Sequence, residues 1–260
     1  MNRFSKQAAA LVCAFAACTA FADDGSAGKF TFGAGADYST GKYGGTQSTD
    51  VSYYSVTGRY EIDRWTAKLT LPWMRITGPG TVVGGDRPIV LDGNGSPTRV
   101  SVSGFGDVVG ALTYTVVEAS NLMVDVTGKV KFPTASETDG LGTGKTDYTG
   151  QVDAYWTVAS GFTVFGGVGY RKFGDPAGVN FRNVKSANAG FTWKAADTLT
   201  AGMSFDYREA VFAGRDSMRE VTPFVVWKLA PTTKIQIYAV HGYSRSSVDW
   251  GGGMVLLQSF

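Results

Sequence analysis

Cysteine is nearly absent from this chain. Its two copies, Cys13 and Cys18, lie close to the N-terminus, so the rest of the sequence offers no disulfide framework and no thiol chemistry. Histidine is rarer still: His241 is the only one, which excludes a histidine-rich zinc site. No run reaches the roughly eighteen apolar residues that a transmembrane helix requires. Beyond the first 22 residues, no helical period of three to four persists. A surplus of one charge is missing too. The chain holds 24 basic and 22 acidic residues, and the first 22 positions contain Arg3, Lys6 and no acid, leaving 22 against 22. A steering field for nucleic acid is therefore not expected.

The N-terminus carries what remains of an export pattern. Arg3 and Lys6 precede the apolar stretch from Ala8 to Phe21, and Ala20-Phe21-Ala22 reads as an A-x-A cleavage site. The expected organisation is a signal peptide over 1–22 followed by one domain over 23–260. Phe15-Ala16-Ala17-Cys18 loosely resembles a lipoprotein box, and the downstream A-x-A site is the better match.

Alternation is abundant. Period two recurs from Phe30-x-Phe32-x-Ala34-x-Ala36-x-Tyr38 to the last residue. Further runs are Tyr54 to Ile62, Trp65 to Trp73, Val108 to Val116 (or from Val100), Leu122 to Phe132, Tyr148 to Trp156 and Phe162 to Tyr170. Ala187 to Trp193, Leu199 to Tyr207, Val221 to Leu229, Ile235 to Ala239 and Trp250 to Phe260 complete the set. The count is about twelve, even as bacterial single-chain barrels require. Connectors alternate between short turns, such as Asp63-Arg64, and longer polar loops, such as Thr77 to Thr98 and Pro133 to Thr146. The expected fold is all-β: a transmembrane antiparallel up-and-down barrel with short periplasmic turns. The terminal Phe260, closing an alternating segment, resembles the signal read by outer-membrane assembly machinery.

The intervening positions carry the charge. Arg59, Lys68, Lys129, Lys131, Arg171, Lys194, Arg208 and Lys228 stand at inward parity, with Glu61, Asp107, Asp125, Asp153, Asp206 and Glu220. The apolar sets hold none, as expected where a midplane Lys or Arg facing lipid costs roughly 2–4 kcal/mol. Twelve of these are candidate lumen-lining residues: Arg59, Glu61, Lys68, Asp107, Asp125, Lys129, Lys131, Asp153, Arg171, Asp206, Arg208 and Glu220. A dedicated anion channel would show a basic excess; the near balance of signs predicts no strong charge selectivity. Tyr155, Phe165, Phe224 and Val226 also stand inward, either as packing or as an apolar surface for a solute.

Three segments resemble chemical motifs and lack their essentials. Asp139 to Thr146 lacks the first glycine of a phosphate loop and any following helix pattern, so it reads as a flexible external loop. Asp92-Gly-Asn-Gly95 lacks the oxygen spacing and distal Glu of a calcium loop. His241 and Ser244 could suggest a lipid-facing hydrolase, yet a separation of three does not place both on one strand face. His241 reads instead as a rim residue. No catalytic residue, metal site or cofactor is expected.

Gly104-Phe-Gly106-Asp107, then Lys129-Val-Lys131-Phe-Pro133-Thr134-Ala135, Gly140-Leu-Gly142-Thr-Gly144 and Thr146-Asp147-Tyr148 resemble motifs of one family. These are the outer-membrane transporters associated with the meta-pathway of phenol degradation. The similarity spans about Gly104 to Tyr170, with Ala135 where the family commonly has Gly. The resemblance implies a barrel admitting small hydrophobic or aromatic molecules. The expected role is therefore a porin-like, monomeric outer-membrane channel for passive uptake. Expected partners are outer-membrane lipids and lipopolysaccharide, the assembly machinery through Phe260, and a small-molecule solute. The alternatives are a lipid-facing phospholipase or lipid A-modifying enzyme, and a structural or adhesive barrel.

Overall fold

The computed structural model describes residues 28–79, 81–83, 89–91 and 100–260. The expected signal peptide and the Asp92–Gly95 turn lie outside the described residues. Fifteen strands follow one another: β1 Lys29–Gly41, β2 Thr49–Ile62, β3 Trp65–Gly78, β4 Thr81–Val83, β5 Ile89–Leu91, β6 Val100–Phe105, β7 Val108–Glu118 and β8 Leu122–Phe132. The rest are β9 Asp147–Ala159, β10 Phe162–Lys172, β11 Val184–Ala196, β12 Leu199–Arg208, β13 Met218–Lys228, β14 Thr233–Gly242 and β15 Trp250–Ser259. Each long strand pairs antiparallel with its sequence neighbours. β1 then pairs with β15 from Thr31–Ser259 to Thr40–Trp250, which closes the sheet. β4 and β5 form a separate hairpin within the Thr77–Thr98 segment.

β6 and β7 share one stave, because both pair with β3. The thirteen strands of the main sheet therefore make twelve staves, the expected number. The join is a bulge. Phe105 lies opposite Trp73 and Val109 opposite Thr70, so three residues oppose two. The Gly106 amide donates to the Pro72 carbonyl at 2.9 Å, and a side chain there would press on Pro72 Cγ at 3.0 Å. The bulge points Asp107 into the barrel.

The parity of the long strands agrees with the sequence pattern; in β6 the bulge reverses the parity expected from a run starting at Val100, with Phe105 outward opposite Trp73 and Val102 packed inward. Phe32, Leu69, Leu112, Val152, Phe205 and Ile237 point outward and are exposed, while Thr57, Thr70, Gln151, Thr192 and Thr222 point inward and are buried. This inverts a soluble protein's distribution and matches a wall whose solvent is lipid. Aromatics gather toward both rims. Tyr54 stands opposite Trp73 with ring centroids 5.7 Å apart, and Trp65 opposite Tyr114 at 4.6 Å. Such cross-strand pairs contribute about 0.5–1.5 kcal/mol beyond their buried area. Phe260 caps the closure: its amide donates to the Phe30 carbonyl at 2.8 Å, and their rings lie 6.4 Å apart.

Candidate functional site: the barrel lumen

All twelve sequence-selected lumen residues occupy inward positions of the staves. Those near the long loops and those near the short turns have different surroundings.

At the loop end, Lys131 Nζ donates to Asp107 Oδ2 at 2.8 Å and to Thr143 Oγ1 at 3.1 Å, and lies 3.4 Å from Asp147 Oδ2. Arg171 Nη2 donates to the same Asp147 oxygen at 2.6 Å, and its guanidinium lies 4.6 Å from the centroid of Phe173. The Asp107, Lys131 and Asp147 side chains are 0%, 3% and 2% exposed. Two loops hang on these carboxylates. Asp107 Oδ1 accepts the Ala135 amide at 3.0 Å, and Asp147 Oδ1 accepts the Gly174 amide at 3.0 Å.

The first of those loops, 133–146, corrects the sequence expectation of a flexible external segment. Leu141 and Ala135 are buried against Val51, Tyr53, Met74 and Ile76, all inward residues of β2 and β3. The loop therefore folds into the mouth rather than standing clear of it. Gly142 makes this possible, since a Cβ on it would stand 3.0 Å from both Asp107 carboxylate oxygens. The 173–183 and 209–217 loops form a second cluster with the start of β11, in which Phe173, Phe181, Val184 and Val211 are buried together with Phe212 against them. On the β1–β2 connection, burial pushes the Tyr43 hydroxyl well above the ordinary tyrosine range, so it stays neutral.

Nearer the turns the lumen charges keep part of their exposure. Arg59 Nη2 donates to Glu61 Oε1 at 2.8 Å with side chains 16% and 18% exposed. Asp125 accepts from Thr115 Oγ1 at 2.7 Å, and both Asp153 oxygens accept from Gln151 Nε2 at 2.8 Å. Lys68, on the turn side of β3, stands directly across from Arg59. Toward the loop end, Lys129 stands across from Thr149, the buried Asp206 accepts from Ser204 Oγ at 3.3 Å, and the buried Glu220 accepts from the Val248 amide at 3.3 Å. Arg208, the last residue of β12 at that end, carries a buried Nε with no hydrogen-bond partner in the protein. At the turn itself, the neighbouring Lys194 holds the exposed Asp197 carboxyl below its usual range.

An apolar strip runs across the remaining wall. Tyr155 and Phe165 lie with centroids 6.5 Å apart, and Phe224 and Val226 pack together with Tyr238 against them. Glycines on the adjacent staves make room. A Cβ on Gly190 would collide with the Phe165 ring, and one on Gly202 with the Phe224 ring.

Sequence reasoning passed over Asp147 and Leu141. Asp147 shares the inward parity of Thr149, Gln151 and Asp153, and that signal was available. Leu141 sits in a glycine-rich loop without periodicity, so nothing in its neighbours foretold burial. His241 lies on the outer face of β14. Its Nδ1 donates to the Asp249 carbonyl at 2.7 Å, and Ser244 Oγ bonds Ser247 Oγ at 2.8 Å. Those bonds engage His241 and Ser244 with other partners rather than with each other. Among the described residues no cluster of His, Cys, Asp and Glu suits a metal ion.

No protein-family model matches the sequence, and no curated protein matches it. Solved structures do resemble the fold. The COG4313 outer membrane channel from Pseudomonas putida F1 superposes with a TM-score of 0.67 over 90% of this chain and 96% of that one, at 12% identity. The KdgM porin gives 0.55 over 88% and 99%, at 8% identity. The NanC porin also gives 0.55, over 88% and 98%, at 12% identity. The chain thus has the closed barrel architecture found in outer-membrane channels and porins.

Proposed function

We propose that this protein is a monomeric outer-membrane channel for passive movement of small solutes. One observation carries the reading: a wall apolar outside carries inward charged groups, of which Arg59 and Glu61 remain partly exposed. A purely structural barrel of this size gains nothing from keeping Arg59 and Glu61 partly exposed within its wall. On this reading the loop end faces outward, the turn end faces the periplasm, and lipids with lipopolysaccharide surround the aromatic rims. The export leader and Phe260 deliver the chain to the assembly machinery. The Tyr155–Phe165–Phe224–Tyr238 strip supports a solute with an apolar or aromatic part, in line with the resemblance of the Gly104–Tyr170 region.

The test is conductance in planar bilayers. Purified protein is expected to give discrete small current steps. Their absence, together with no uptake of phenol or benzyl alcohol into proteoliposomes, would sink the channel reading. The hydrolase alternative is tested by phospholipid and lipid A turnover, where activity abolished by His241→Ala would revive it.

A further inference from the structure

We infer that the outer face of β9 to β14, at the loop end, is a binding site for lipid A, the doubly phosphorylated disaccharide lipid of lipopolysaccharide. This rests on the orientation in the reading above, with the loop end outward, and adds the residues that hold the lipid. Sequence parity supplies the first observation. Outward positions of β9 to β13 hold three charged residues, Lys172, Lys185 and Arg219. All three are positive and exposed, and each lies within two residues of the loop end of its strand.

Register supplies the second. Lys172 is directly opposite Tyr148, Lys185 opposite Tyr170, and Arg219 opposite Tyr207. The Tyr243 amide donates to the Arg219 carbonyl at 2.8 Å, which sets a fourth tyrosine alongside. Ala187 is opposite Tyr207, so Lys185 is the diagonal neighbour of that ring. Tyrosine and cation therefore alternate around this arc of the rim, and all four tyrosines are exposed. Such rings suit the headgroup layer, where their hydroxyls meet polar groups.

The third observation is electrostatic. Among the described residues, Lys172, Lys185 and Arg219 form no ion pair. Acids nearby in sequence are engaged or stand off the strands. Glu209 accepts the Lys185 backbone amide on Oε2 at 2.8 Å, Asp175 accepts the Phe181 amide at 3.0 Å, and Asp216 lies out on the 209–217 loop. Elsewhere the rims find partners within the protein. On the β1–β3 side, Asp50 accepts from Tyr38 and Thr40, and Arg75 donates to Ser101 Oγ at 3.0 Å. At the turn end, Arg64 lies 4.0 Å from Glu118. Lys172 and Lys185 are diagonal neighbours, with Cβ atoms about 7 Å apart, so one phosphate can accept from both. Arg219 stands two staves beyond Lys185, on the order of 10 Å away at the usual strand spacing. Two phosphates on one disaccharide span that gap, whereas a phospholipid with a single phosphate meets one side of it.

Native mass spectrometry of the full chain in detergent tests the inference, with bis-phosphoryl lipid A, monophosphoryl lipid A or phosphatidylglycerol added. Wild type is expected to retain bis-phosphoryl lipid A at about tenfold lower concentration than either of the others. Lys172→Gln with Lys185→Gln and Arg219→Gln should abolish that preference. Arg64→Gln with Arg75→Gln removes exposed cations outside the arc and should keep it. Heat-modified gel mobility establishes that each variant folds. Equal retention of the three lipids by wild type, or a lipid A preference kept by the folded triple variant, would overturn the inference. Orientation is read separately, by labelling Asp216→Cys in intact cells with a membrane-impermeant maleimide. Labelling without lipid A preference overturns this inference and leaves the channel reading standing. Labelling only after permeabilisation overturns the outward placement of the loops and this inference with it.

Discussion

The two ends of the lumen use the same residue types for different ends. Near the loops, Asp107, Lys131, Asp147 and Arg171 form a dry network whose remaining oxygens hold the backbones of two loops. Nearer the turns, Arg59 pairs with Glu61, Asp125 accepts from Thr115 and Asp153 from Gln151, and none of these bonds holds a loop backbone. Buried charge is costly to strand, whereas partly hydrated charge is cheap to remove. The first set therefore fixes the shape of the mouth, whereas the second holds no loop in place.

That contrast predicts unequal consequences of removing charge. Asp107→Ala leaves buried Lys131 only Thr143 and an Asp147 shared with Arg171, and frees the Ala135 amide, so it should cost about 3–5 kcal/mol and release the 133–146 loop. Urea unfolding in vesicles and a larger conductance step would register both effects. Leu141→Ala leaves the salt network intact and empties its pocket against Met74 and Ile76. It should cost about 2–4 kcal/mol and also widen the conductance step. Gly202→Ala drives a Cβ into the Phe224 ring, for a loss of about 1–3 kcal/mol read by thermal unfolding. Arg59→Gln with Lys68→Gln should change stability by less than about 1 kcal/mol, since the Arg59–Glu61 pair is partly exposed and Lys68 opposes a like charge. A large stability loss in this last variant would erase the distinction between the ends.

Phe260 makes the smallest equilibrium contribution. It is 75% exposed and touches Phe30 at the rim, so Phe260→Ala should shift folded stability by well under about 1 kcal/mol. Its effect should appear in the amount of barrel reaching the outer membrane, measured by fractionation.

The fold was legible in the sequence because lipid penalises every misplaced charge. Each stave announced its own parity, from Phe30-x-Phe32 to Trp250 through Phe260. Parity put all twelve charged residues on the inner face, since inside and outside alternate along each strand between its bulges. Two things were not legible. Burial of Leu141 depends on inward residues of β2 and β3, far away in sequence, and a glycine-rich loop has no period to betray it. The alternation of tyrosine and cation around the outer rim depends on register between staves. Register is set by turns and by irregularities such as the bulge at Gly106-Asp107 and the shifts at Thr115/Val117 and Lys194/Ala196. Counting charges gave near balance, and the balance concealed their arrangement.

Single-channel conductance of wild type beside Asp107→Ala and Arg59→Gln/Lys68→Gln tests the division of the lumen most directly. The account predicts small wild-type steps, clearly larger steps when Asp107 is removed, and steps of nearly wild-type size when Arg59 and Lys68 are neutralised. Equal steps in wild type and Asp107→Ala, or no steps from any of the three folded proteins, would contradict it.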